Sequence, residues 1–164
     1  HKGYILLGTG LITQNIEGKE LYRFYNPRKD KDIRKRMLYR NCFSHSTVMF
    51  SKEAALKAGG YSESGHALHI EDYDLWLRLG MIGKFANIRD YAVRLTIHKS
   101  SISAVHKKVQ FKKQLEITKK YSRDYPSAFC NRCRSYFRLG AYSVFGKKIP
   151  KWLENWVIAR YKIR

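Results

Sequence analysis

Carboxylates are scarce in this sequence: 13 Asp and Glu stand against 33 Lys and Arg, giving a formal charge of +20. Such a balance attracts phosphates, whether of nucleic acid, anionic lipid or a nucleotide substrate, and charge alone does not choose among them. Cysteine is sparse too. Cys42, Cys130 and Cys133 do not suggest a disulfide framework, and their odd number fits a reducing compartment. Cys130 and Cys133 form a lone CxxC with no second pair, so two ordinary thiols on a helix is a plainer reading than zinc or redox chemistry. No apolar run approaches the ~18 residues of a membrane span, and no signal peptide is visible. The chain begins at His1 with no initiator Met, which leaves room for a preceding portion.

What is present is a foldable chain. A length of 164 residues suits one core-bearing domain and is short for two, and 44% hydrophobic with 14% aromatic content excludes a disordered one. Residues 4–16 are apolar and β-branched and stop at Gly18, the pattern of a strand or hairpin entry. Asn26-Pro27 signals a turn, and 30–40 reads as a short basic helix with Ile33, Met37 and Leu38 or Arg40 on one face. Residues 45–50 read as a short strand, followed by a helix capped by Ser51 and stopped by Gly59-Gly60. A helix opening at Glu71 ends at Gly80 and Gly83, and 84–97 gives two short strands or one bent strand. From about 104 a Lys-rich helix runs to Tyr121, and a basic aromatic tail closes the chain. The alternation predicts an α/β fold with a helical, basic appendix.

Against this basic background, Glu71, Asp72 and Asp74 form an acidic island just beyond the Gly59-Gly60 turn. The structural explanation is that acids complement the N-terminal dipole of a helix and pair with Arg78. The chemical explanation is an ionised base. Gly59-Gly60 serves equally as a helix stop or as bare backbone that lets a ligand approach closely.

At this point the residues carry a resemblance. Asn41–Phe50, Ala58-Gly59-Gly60-Tyr61, Glu71–Arg78 and the segment from Arg94 through His98 to Ser103 occur in the order found in family 2 glycosyltransferases. The "eDydLwlRl" helix of that family is matched by Glu-Asp-Tyr-Asp-Leu-Trp-Leu-Arg. The chain resembles the C-terminal half of the catalytic domain of these inverting enzymes, whose fold is GT-A, a Rossmann-like nucleotide-diphospho-sugar transferase domain. The resemblance implies transfer of a sugar from a nucleotide-diphospho-sugar to an acceptor hydroxyl. It implies that Asp72 is the general base, and that Gly59, Gly60, Glu71, Asp74, Arg78, His45 and Arg94 bind substrate. It further implies that His98 is a ligand of a divalent metal (Mg or Mn) or a donor to the diphosphate.

One apparent match is set aside. The family holds its metal with an Asp-x-Asp motif that ends an apolar strand, whereas Asp30-Lys31-Asp32 follows Asn-Pro-Arg-Lys and opens a basic helix, where Asp is a favoured cap. The main metal ligands and the nucleotide-binding half are therefore expected outside this chain. Residues 1–103 are the acceptor-side half, and 104–164 a helical, basic, aromatic extension. In 147–164, Ile149, Trp152, Leu153, Trp156, Val157 and Tyr161 fall near one helical face, which suits either docking on the domain or peripheral membrane contact. The expected partners are a nucleotide-sugar donor and a glycan or lipid-linked acceptor, and the expected location is the cytoplasm, at the inner face of the membrane where that contact forms. The competing class is a basic nucleic-acid-binding module or a non-catalytic interaction module, supported by the charge and 12 tyrosines. It lacks any RNP-like, zinc-finger or helix-turn-helix signature.

Overall fold

A computed structural model describes residues 3–63, 65, 67–98 and 107–145. The long apolar β1 (Tyr4–Gln14) turns at Gly18, which takes a φ of 80°, and returns antiparallel as β2 (Glu20–Phe24). Helix α1 (Asp30–Met37) follows, and then β3 (Met49–Phe50), α2 (Lys52–Lys57), α3 (Glu71–Gly80), β4 (Lys84–Thr96), α4 (Lys107–Lys120) and α5 (Ala128–Phe145). β1 lies at the centre of an open mixed sheet: β4 runs parallel along its length, while β2 and β3 pair antiparallel with different stretches of it. The 84–97 region is one strand, with register shifts against Gly8 and Gly10.

The expected strand over 45–50 is shorter than its composition suggests. His45–Thr47 forms a 3₁₀ turn, and only Met49 and Phe50 pair with β1. The amide and the hydroxyl of Thr47 both donate to the Ser44 carbonyl, at 2.8 and 2.9 Å, and this local bonding outcompetes the ladder. Ser51 caps α2 as its sequence indicates, its hydroxyl accepting from the Ala54 amide at 3.1 Å.

Asp30 has a structural job. Its carboxylate accepts from the Phe85 amide at 2.9 Å and from Arg34 at 2.7 Å, tying α1 to the start of β4. Behind the sheet, Leu6, Ile33, Met37, Leu38, Phe43, Leu75, Trp76, Leu77, Leu79 and Phe85 form one core. Ile117 from α4, with Tyr121 and Tyr125 beyond it, belongs to that same core, so α4 shares the interior of the preceding elements.

Gly80 shows how tightly these parts meet. A Cβ there would lie 2.0 Å from the Tyr125 hydroxyl and 2.5 Å from the Phe85 ring. Tyr125 uses that hydroxyl to donate to the Leu77 carbonyl at 2.7 Å. Gly80→Ala is therefore expected to destabilise by about 1–3 kcal/mol through overpacking, despite the better helix propensity of alanine. Urea denaturation of the two proteins measures the difference.

Among the described side chains of helix α5, the buried ones are polar: Asn131, which donates to the Lys35 carbonyl at 3.0 Å, and Ser135. Phe129 (77% exposed), Phe137 (58%) and Val144 (77%) are exposed. Cys130 and Cys133 are exposed on this helix. The 147–164 segment, with its tryptophans, lies outside the described residues.

Candidate active site

The site is built around the N-terminus of α3. Ile70 precedes the helix and offers no side-chain cap, and Glu71, Asp72 and Asp74 occupy the first turn, where acids are favoured. Asp72 turns one carboxylate oxygen to the Tyr73 amide at 2.7 Å and the other to the side-chain amide of Asn41 at 3.1 Å. Asn41 is itself oriented, because its oxygen accepts from the Phe43 amide at 3.0 Å. Burial is the largest influence on Asp72 and pushes its carboxyl above the ordinary range. The Tyr73 amide and His45 pull the other way, Glu71 adds to the rise, and the Asn41 bond lowers it.

Three rings pack on one another beside α3, and two of them, His45 and Tyr61, are close enough to Asp72 to feel its charge. Trp76, one helical turn on, is fully buried against Phe50, with ring centroids 5.2 Å apart. The His45 ring meets it edge-on at 6.1 Å and stacks on Tyr61 at 5.9 Å, with 12° between the planes. The Tyr61 hydroxyl lies 3.4 Å from His45 Nε2. Burial, followed by the nearby charges of Asp72 and Glu71, raises the Tyr61 phenol, so it keeps its proton and remains a donor. Glu71 sits exposed at the rim. The result is a recessed base beside an exposed His–Tyr pair, a surface suited to a polyhydroxylated ligand whose hydroxyl must be brought to the base.

The other predicted residues take different places. Gly59 and Gly60 adopt φ of 86° and 66°, the left-handed region, and close α2 as a glycine stop. Arg78 lies behind them: it donates to the Ala58 carbonyl and, through Nε, to Asp74 at 2.9 Å. Asp74 is 5% exposed and faces inward, where it also accepts from the Tyr121 hydroxyl at 3.0 Å. Arg94 stands on β4 and pairs with Glu20 at 3.7 Å, in a separate cluster with Arg23. His98 is exposed just past β4, and 99–103 lie outside the described residues. Among the described residues no three His, Cys, Asp or Glu side chains converge as a metal set. Among the described residues, then, the donors do not by themselves fit a metal ion.

Asn41 and Tyr61 join the site without having been singled out for it. Their signal was positional: Asn41 opens the Asn41–Phe50 segment and Tyr61 follows the Gly-Gly turn.

No family model matches the chain. Two bacterial proteins do resemble it in sequence, and both are glycosyltransferases. The chain is 38% identical over 84 residues to the O-antigen biosynthesis glycosyltransferase WbnJ of Escherichia coli, a match covering 51% of this chain and 31% of that protein. It is 33% identical over 96 residues to the amylovoran biosynthesis glycosyltransferase AmsE of Erwinia amylovora, covering 58% of this chain and 35% of that protein. The chain thus spans about a third of the length of the relatives it matches. These likenesses, together with an α/β fold compatible with part of such a domain, support a glycosyltransferase.

Proposed function

We propose that this chain is the acceptor-side part of an inverting family 2 glycosyltransferase with a GT-A domain, acting in the synthesis of a surface polysaccharide. Asp72 is its general base. The carrying observation is the partly buried carboxylate of Asp72, oriented by Asn41 and the Tyr73 amide and flanked by the exposed His45 and Tyr61. In the reaction, Asp72 takes the proton of an acceptor hydroxyl while that oxygen attacks the anomeric carbon. The bond from that carbon to the diphosphate breaks with inversion, and the nucleoside diphosphate departs. Residues outside this chain are assigned the donor and the main metal ligands. Tyr61 and His45 orient the acceptor, and Glu71 accepts from its neighbouring hydroxyls.

The pH dependence of transfer tests this reading. The base must be ionised, and burial has raised its pKa. The acid limb of kcat/KM should therefore fall at a pH above the ordinary ~4 of a carboxyl. In Asn41→Ala, which removes a bond that favours the ionised form, the limb should move further up. An acid limb unmoved by Asn41→Ala would remove Asp72 from its assigned role.

We also assign a peripheral contact with an anionic bilayer. Among the described residues no helix is long and apolar enough to cross a membrane. Helix α5, however, exposes Phe129, Phe137 and Val144 and contains no carboxylate. The chain should float with phosphatidylglycerol vesicles, and Phe129→Ser with Phe137→Ser should abolish flotation. Unchanged flotation of that double variant would move the contact elsewhere.

A further inference from the structure

On another part of the surface lies a groove of about 510 Å³, lined by Tyr25–Lys29 with Asp32, Arg36 and Arg89. Four of its lining residues are cations, Arg28, Lys29, Arg36 and Arg89, against the single carboxylate of Asp32. Among the described residues none of these four makes an ion pair, whereas Arg23, Arg34, Arg78 and Arg94 all do.

The groove is preformed. The Asn87 amide donates to the Arg28 carbonyl at 3.1 Å and its side chain to the Pro27 carbonyl at 2.8 Å. Arg40 donates to the Asn26 side chain at 2.9 Å, and Lys29 bridges to Ala86. Arg28 and Lys29 therefore rise from a backbone pinned to β4. The Tyr25 ring is held at the groove by stacking on Tyr91, with centroids 4.5 Å apart, in space left open by Gly10. The same wall ends at the N-terminus of α1, whose first turn already carries the carboxylates of Asp30 and Asp32, so the attraction for an anion comes from the four cations.

We propose that this groove binds a phosphate-bearing ligand, best matched by a diphosphate. Gathering four unpaired cations costs mutual repulsion, and a bound anion relieves it. Arginine forks suit phosphate oxygens in pairs. The net charge of the lining residues, four cations against one carboxylate, balances a diphosphate better than a monoester. The position of Tyr25 places an aromatic face beside the anion. The assignment stands apart from the role of Asp72 and is tested without any transfer reaction.

Sodium pyrophosphate titrated into the chain at physiological ionic strength should bind saturably by calorimetry. Arg28→Gln with Arg89→Gln should weaken it by about tenfold or more, as expected for lost charge-assisted bonds. Lys52→Gln with Lys57→Gln, an equal charge change on exposed positions of α2, should leave it unchanged. The absence of saturable binding, or equal weakening in both pairs, would overturn the assignment. Phosphatidylglycerol vesicles form the second arm. Vesicle binding that falls with the Arg28/Arg89 pair identifies a lipid headgroup as the source of the phosphate, and vesicle binding indifferent to that pair identifies a soluble one.

Discussion

Replacing Asp72 with asparagine is expected to lower sugar transfer by about 10²–10⁴-fold, the usual contribution of a positioned general base. The fold should survive. Asparagine retains an oxygen for the Tyr73 amide, and the exchange at Asn41 costs about one hydrogen bond, roughly 1 kcal/mol. An opposite effect offsets this. Burial raises the Asp72 carboxyl above its unfolded value, so between the two values the folded chain binds more protons than the unfolded one. Stability then falls as pH rises through that window, and an ionised Asp72 at neutral pH weighs against folding. Asparagine removes that burden. The variant should melt close to the wild type while transfer from a nucleotide-diphospho-sugar, measured in protein that carries the donor-binding residues, nearly vanishes. Retained transfer in a well-folded Asp72→Asn protein would end the proposed mechanism.

Much of the frame was legible because its signals are local. The Ser51 cap, the Gly59-Gly60 stop and the Ile33–Met37–Leu38 face each depend on residues close in sequence, and each is present. The turn at 45–47 was hidden because the run Thr47-Val48-Met49-Phe50 speaks for a strand, while the deciding bonds run back to Ser44. Long-range packing was hidden as well. Nothing in the Lys-rich pattern of 107–120 announces that Ile117 and Tyr121 complete the core under α3, since that depends on where α3 leaves space. In the site, the acidic island stood out by charge, but charge does not report direction. Two residues apart in the first turn of one helix, Asp72 turns toward Asn41 and the surface, and Asp74 toward Tyr121 and the interior.

That divergence yields the second large effect. Asp74→Ala should cost about 3 kcal/mol of stability, the lower end of the range for breaking a buried ion pair. The lower end applies because the Arg78 side chain is 18% exposed and water reaches part of it. Alanine would strand the Arg78 guanidinium, which also holds the Ala58 carbonyl beside Gly59, and would leave the Tyr121 hydroxyl without its acceptor. Lys120, 3.6 Å from the same carboxylate, is exposed and loses little. Asp74→Asn, which keeps an acceptor oxygen, should lose less than Asp74→Ala. Chemical denaturation gives the stabilities, and transfer per folded molecule gives the function. A carboxylate that holds the frame behaves in one way: stability drops steeply in the alanine variant, and the folded fraction still transfers sugar far better than Asp72→Asn. The reverse pattern, a stable Asp74→Ala protein with transfer abolished, would place Asp74 on the substrate and make the inward bonds to Arg78 and Tyr121 secondary.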